Sequence, residues 1–121
     1  MDRATRHLMP DEKRLLMLLL SSRPDGVRLR GQIDEVLVQE MADGGMGGLR
    51  FEEEGADRRR FTTLASAQFK DADGISVLVS LDLDQNGRLF ELDVWKVDFS
   101  SLQQIPESSQ IRLEEICKPN C

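Results

Sequence analysis

The residues best suited to chemistry lie between Asp82 and Asp93. As a twelve-residue loop, Asp82-Leu-Asp-Gln-Asn-Gly-Arg-Leu-Phe-Glu-Leu-Asp93 puts side-chain oxygens at the first, third and fifth positions (Asp82, Asp84, Asn86). Gly87 falls at the sixth, an aliphatic residue, Leu89, at the eighth, and a carboxylate, Asp93, at the last. Calcium takes roughly six to eight hard oxygens around a sharp turn, so these residue types at this spacing suit it. Three features oppose that reading. Both flanks, 75–81 and 94–99, have strand-like patterns where a calcium loop of this type joins two helices. The last position is Asp, a shorter arm than Glu, and the loop has no second copy to pair with. A hairpin turn with Asn86-Gly87 at its tip is the preferred reading, and no metal or cofactor is expected.

Glu91 and Asp93 share a strand face at about 7 Å, a span compatible with paired acid and base chemistry. Exposed acids on the outer face of an antiparallel sheet have the same pattern and are commoner. His7 is the only histidine, so a nucleophile activated by histidine has almost nowhere to be built. Catalysis is therefore not the favoured reading. In Asp43-Gly-Gly-Met-Gly-Gly48, the glycines Gly44, Gly45, Gly47 and Gly48 allow a close approach of backbone N–H groups to a ligand. No Gly-Lys-Ser/Thr follows and no helix start is in view, so a connection between strands, with Met46 tucked onto the core, is preferred. Trp95, the single tryptophan, is either a sheet-covering aromatic or a contact for a partner.

Three runs within 61–99 position these groups. They are separated by the turn signals Asp71-Ala-Asp-Gly74 and Asp84-Gln-Asn-Gly87, which predicts strand, turn, strand, turn, strand. The first run places Phe61, Thr63, Ala65, Ala67 and Phe69 on one face. The second places Ile75, Val77, Val79, Leu81 and Leu83 inward, with Ser76, Ser80 and Asp82 outward. In the third, Phe90, Leu92 and Val94 alternate with Glu91 and Asp93, and then Trp95, Val97 and Phe99 take over, as at a bulge or in a strand covered on both sides.

Upstream, 1–9 is expected to be a loose start. A helix is predicted over 10–21, with Pro10 in its first turn, Asp11 and Glu12 at its positive end and a leucine-rich second half to be covered by a sheet. Strands are expected near 33–41 and at 49–51, and 52–60 reads as a polar loop in which the basic run 58–60 is solvated and offset by the acids 52–54. The tail, 100–121, has the option of a short helix capped by Ser108 or Ser109 and carrying Ile111, Leu113 and Ile116. The expected fold is α+β in one domain spanning 1–121. An N-terminal helix packs on an antiparallel meander of about five strands within 33–99.

The chain has 121 residues, enough for a core without staples, and a net charge of −6 that disfavours phosphate backbones. Its two cysteines, Cys117 and Cys121, lack the second half of a zinc site and fit a reduced compartment. The apolar run 15–20 is too short to span a membrane and lacks a cleavage signal, so a cytoplasmic protein is expected.

Two stretches, Met41-Ala-Asp-Gly-Gly-Met-Gly-Gly-Leu-Arg-Phe51 and Phe90-Glu-Leu-Asp-Val-Trp-Lys-Val-Asp-Phe-Ser100, resemble a family of small bacterial proteins classed as a domain of unknown function. Its members combine a short N-terminal helix, a "DGGMGSLRF"-like loop and an "ELDVWKVDFS"-like strand. The similarity covers most of 10–102, with Gly48 standing where the family carries serine. The resemblance implies a shared fold and no activity.

The expected role is a protein-interaction or regulatory module, of immunity type among the options. Asp82, Glu91, Asp93 and Trp95 would contact a partner that is another protein of basic character, with neither nucleic acid nor membrane as partner. The alternative is a small-molecule or metal site at the 43–48 glycine loop or the 82–93 hairpin (with Asp82, Asp84, Asn86 and Asp93 as the calcium set).

Overall fold

The computed structural model describes residues 4–52 and 58–114. Helix α1 covers Pro10–Ser21 and one further turn, α2, covers Pro24–Val27. The strands are β1 (Thr5–His7), β2 (Leu37–Glu40), β3 (Leu49–Phe51), β4 (Arg60–Lys70), β5 (Ser76–Asp84), β6 (Leu89–Lys96) and β7 (Arg112–Glu114). They form one antiparallel sheet in the order β1-β2-β3-β6-β5-β4-β7. The α+β class and the N-terminal helix match the sequence expectation. Among the described residues the strands number seven rather than about five.

Helix α1 starts where Pro10 needs no N–H partner, and Glu12 turns back to accept from the Met9 N–H at 2.8 Å. Leu15, Leu16, Leu19 and Leu20 are buried and face the sheet; Leu18 is partly covered. The inner face of the sheet answers with rows set by register. Leu49, Leu92, Leu81 and Ala65 form one row, and Val94, Val79 and Ala67 the next. Both meander turns are three-residue loops rather than two-residue ones. Asp71 N–H donates to Ile75 O and Gly74 N–H to Asp71 O, and the same pair recurs between Asp84, Arg88 and Gly87. Gly74 and Gly87 have φ of 81° and 76°, the left-handed residue that closes this turn and that a side chain would disfavour.

The ends of the chain depart from the sequence reading. Residues 1–3 lie outside the described residues, and from Thr5 on the start is not loose: β1 pairs with β2, and Arg6 ties it to α1 through hydrogen bonds of 2.8 and 2.9 Å to Glu12. The short C-terminal helix does not form. One 3₁₀ turn, Ser108–Gln110, leads into β7, which pairs with the edge of β4, and Ile111 is buried. The branched Ile111, the alternation around Leu113 and an open strand edge outweigh a marginal helix. Ile116, Cys117 and Cys121 lie outside the described residues.

Two faces were also misassigned. Register shifts in β4 between Arg60 and Thr62, and between Thr63 and Ala65, turn Leu64 into the core. Phe61 is left 72% exposed, and Thr63 lies on the outer face. In β6 the alternation does not change face at Val94. Leu92, Val94 and Lys96 all point inward, and Trp95, Val97 and Phe99 are exposed.

Candidate interaction face

Helix α1 covers one face of the sheet; among the described residues no helix covers the other. Cross-strand register organises that outer face into rows. The first runs Gln39, Arg50, Glu91, Asp82 and Thr63. The second runs Asp93, Ser80, Ser66 and Glu114, and the third Trp95, Leu78, Gln68 and Arg112. All four residues expected to contact a partner (Asp82, Glu91, Asp93 and Trp95) therefore share one face, because β6 alternates and β5 is its hydrogen-bonded neighbour.

Their environments differ. Glu91 is in an ion pair with Arg50. Asp82 is buried, with Oδ1 accepting from Thr63 Oγ1 at 2.8 Å. Its burial raises the pKa, helped by the neighbouring Asp93 and Glu91 charges, against the opposing pull of Thr63 and Arg60. Asp93 is exposed and has no hydrogen bond or ion pair with the described residues. Trp95 is 48% exposed, and its ring meets that of Phe99, with centroids 6.2 Å apart and planes tilted by 39°.

The turn that carries Phe99 is fixed from below. Lys96, fully buried at an inward position, donates to Asp71 at 2.9 Å, to Asp73 and to Ser101 O. Burial alone would lower the ammonium pKa, but the two carboxylates outweigh it and raise it above the ordinary value. Asp71 also accepts from the N–H groups of Ala72, Gln103 and Gln104. Its burial would raise the carboxyl pKa; Lys96 and these backbone donors prevail and hold it low. Asp98 accepts from the Ser100 hydroxyl and N–H, and Phe99 sits at φ 64°, unusual for a bulky side chain.

The remaining candidates separate. The 82–93 stretch is a hairpin whose oxygens diverge. Asp82 turns to Thr63, whereas the buried Asp84 pairs with Arg58 at 3.0 Å and accepts from the Asn86 and Arg88 N–H groups. Asp93 pairs in register with Ser80, not with Asp82. Among the described residues no cluster of three acidic, His or Cys groups is arranged to hold a metal. Arg58 is not a solvated loop residue. It also donates to Phe51 O and Leu89 O, clasping β3 to β6. The glycine loop lines a hollow of about 400 Å³ with Glu40, Met41, Asp43, Gly44, Gly45, Gly47 and Gly48. Asp43 already accepts from the Met46 and Gly48 N–H groups, and Gly44 O and Gly45 O accept from the Ser101 hydroxyl and the Leu102 N–H.

A family model described as Domain of unknown function (DUF6984) matches residues 5–106. The chain belongs to this family. The match to DUF6984 spans β1 to the segment after β6, so it contains the helix, the glycine loop and the whole of the Asp82–Trp95 face. No curated protein and no solved structure gives a significant match to the chain. No helix among the described residues of this family member is long and apolar enough to cross a membrane.

Sequence reasoning missed Phe99 as a member of this face and Lys96 as its support from the inner side. The signal for Lys96 was present: the turn 71–74 carries two aspartates, and a lysine at an inward position of the neighbouring strand is a cation within their reach. Once Lys96 occupies the inward position, Trp95 beside it faces out, and the turn closed by Phe99 N–H to Lys96 O, with Phe99 at φ 64°, brings the second ring against it.

Proposed function

We propose that the protein is a binding module whose outer sheet face docks a basic protein. One observation carries this reading: Glu91, Asp93 and Trp95 alternate along the same exposed side of β6, with Asp82 beside them on β5. Acids at a rim steer an oppositely charged partner and speed association, while an exposed indole supplies apolar contact that slows release. The effective negative charge is smaller than a count suggests, because Arg50 takes up Glu91 and Thr63 binds Asp82. Asp93 is the acid available to a partner. The cytoplasmic setting expected from the cysteines belongs to the same proposal.

The test is capture of the partner from source cells, followed by surface-binding kinetics at two salt concentrations. Asp93→Lys is expected to slow association and flatten its salt dependence, and Trp95→Ala to speed dissociation. Asp93→Lys is preferred to reversal of Glu91, which would set a lysine against Arg50. An association rate indifferent to salt and to Asp93→Lys would end this reading.

The glycine-loop hollow supports a second reading, binding of a small polar molecule. Glu40 and Asp43 in its lining oppose a phosphate, so a neutral or cationic ligand is the one to try there.

A further inference from the structure

Where β6 bulges between the Asp82↔Glu91 and Leu83↔Leu89 pairs, Phe90 leaves the inward alternation and the core cluster and builds one complete example of a recognition unit. The Phe90 ring has the Arg50 guanidinium 5.3 Å from its centroid and the Arg58 guanidinium at 5.4 Å. Each of those arginines is also paired with a carboxylate, Arg50 with Glu91 and Arg58 with Asp84. Aromatic face, guanidinium and carboxylate satisfy one another: the ring quadrupole attracts the cation, and one guanidinium nitrogen of each arginine meets its acid.

Further along β6 the same parts recur without the cation. Asp93 and Trp95 lie two residues apart on one side of the strand, about 7 Å from each other. Phe99 adds a second ring against Trp95. Among the described residues no guanidinium lies over either ring. The apolar surface is held ready rather than left loose. Phe99 N–H donates to Lys96 O at 2.8 Å, Asp98 locks Ser100, and the buried Lys96 with Asp71 and Asp73 fixes the chain on both sides.

We propose that Trp95, Phe99 and Asp93 form a site for an arginine side chain of the partner, the guanidinium stacking on the rings and pairing with Asp93. This rests on the reading of the outer face as a docking surface and names the partner group it selects. A lysine ammonium matches the charge but not the planar stack or the forked carboxylate contact, so discrimination between the two cations is the mark of the site. A nucleic acid presents phosphates, which Asp93 and Asp82 would repel.

Because Trp95 is the single tryptophan, its fluorescence reports on this site alone. The full chain is titrated at low ionic strength with capped tetra-arginine and tetra-lysine peptides. Tetra-arginine is expected to change the Trp95 emission saturably and to bind at least roughly 5-fold tighter than tetra-lysine. Asp93→Asn and Phe99→Gly are each expected to weaken tetra-arginine roughly 3- to 5-fold. Phe99→Gly removes the ring while supplying a residue suited to φ 64°, so its melting temperature should not fall. Equal binding of the two peptides, or arginine binding indifferent to both variants, would overturn the arginine site and leave the charged docking face standing. No response to either peptide would also overturn it, and the fate of the docking face would still be decided by the partner kinetics of Asp93→Lys.

Discussion

Asp71→Asn should destabilise the protein by about 3 kcal/mol at neutral pH, and the value follows from counting donors. Oδ1 accepts from Ala72 N at 2.7 Å and Gln104 N at 2.9 Å. Oδ2 accepts from Gln103 N at 2.8 Å and Lys96 Nζ at 2.9 Å. An asparagine keeps one acceptor oxygen and turns an NH2 toward the other pair, so either orientation takes this acceptor from two donors. A buried group stranded in this way costs about 1–3 kcal/mol, so two cost about 2–6 kcal/mol. Lys96 retains Asp73 and Ser101 O, which keeps the fold accessible and sets the value in the lower half of that range. With a urea slope of about 1.5 kcal/mol/M, the unfolding midpoint should drop by roughly 2 M. The pH dependence supplies the second half of the test. The folded carboxyl pKa lies below its unfolded value, so the stabilisation is present above about pH 4 and is lost as pH falls through the folded pKa. The gap between wild type and Asp71→Asn should therefore close on acidification. Matching midpoints at pH 7, or a gap that persists unchanged to pH 2, would refute the account of Asp71 as the acceptor hub.

Two further outcomes are expected. Val79→Asp, which places an unpaired charge among Ala67, Val94 and the inner leucines, should cost about 4 kcal/mol, whereas Ser80→Asp, opposite the exposed Asp93, should cost less than about 1 kcal/mol. Urea midpoints separate the two. Millimolar calcium should leave the amide resonances of 82–93 unmoved, since Asp84 is committed to Arg58; a saturable shift abolished by Asp84→Ala would reinstate a metal site.

Much of the fold was legible because it rests on local rules. Pro10 with Asp11 and Glu12 marks a helix start, and Asp-x-x-Gly between alternating runs marks a hairpin. The inward set Val77, Val79, Leu81 and Leu83 was readable by period alone. What escaped depends on partners distant in sequence. Strand β1 is stable because β2 and Glu12 receive it, and β7 because β4 offers an edge. The side chains that changed face did so through bulges in β4 and through Lys96, where hydropathy argues for the wrong direction. A lysine is buried only with its counterions, and those sit in a turn some twenty residues earlier. The candidate face was readable as far as its alternation. Which of its acids are already engaged was not, since Arg50 and Thr63 reach it only through the assembled sheet.

The short contact between β3 and β6 has a mechanical meaning. The sheet is two sub-assemblies, β1-β2-β3 and β6-β5-β4-β7, and only Leu49↔Leu92 and Arg50↔Glu91 pair across the join. The paired residues across this seam are some forty positions apart in the chain, so closing it costs more loop entropy than forming either local hairpin. Glu91 belongs both to the seam and to the outer face. A partner that drew Glu91 away from Arg50 would therefore loosen the join from outside, leaving the backbone pairs and, among the described side chains, the Arg58 clasp to Phe51 O and Leu89 O. In the docking reading, binding and cohesion would compete for one carboxylate, and amide exchange at residues 49–51 is where that competition would register.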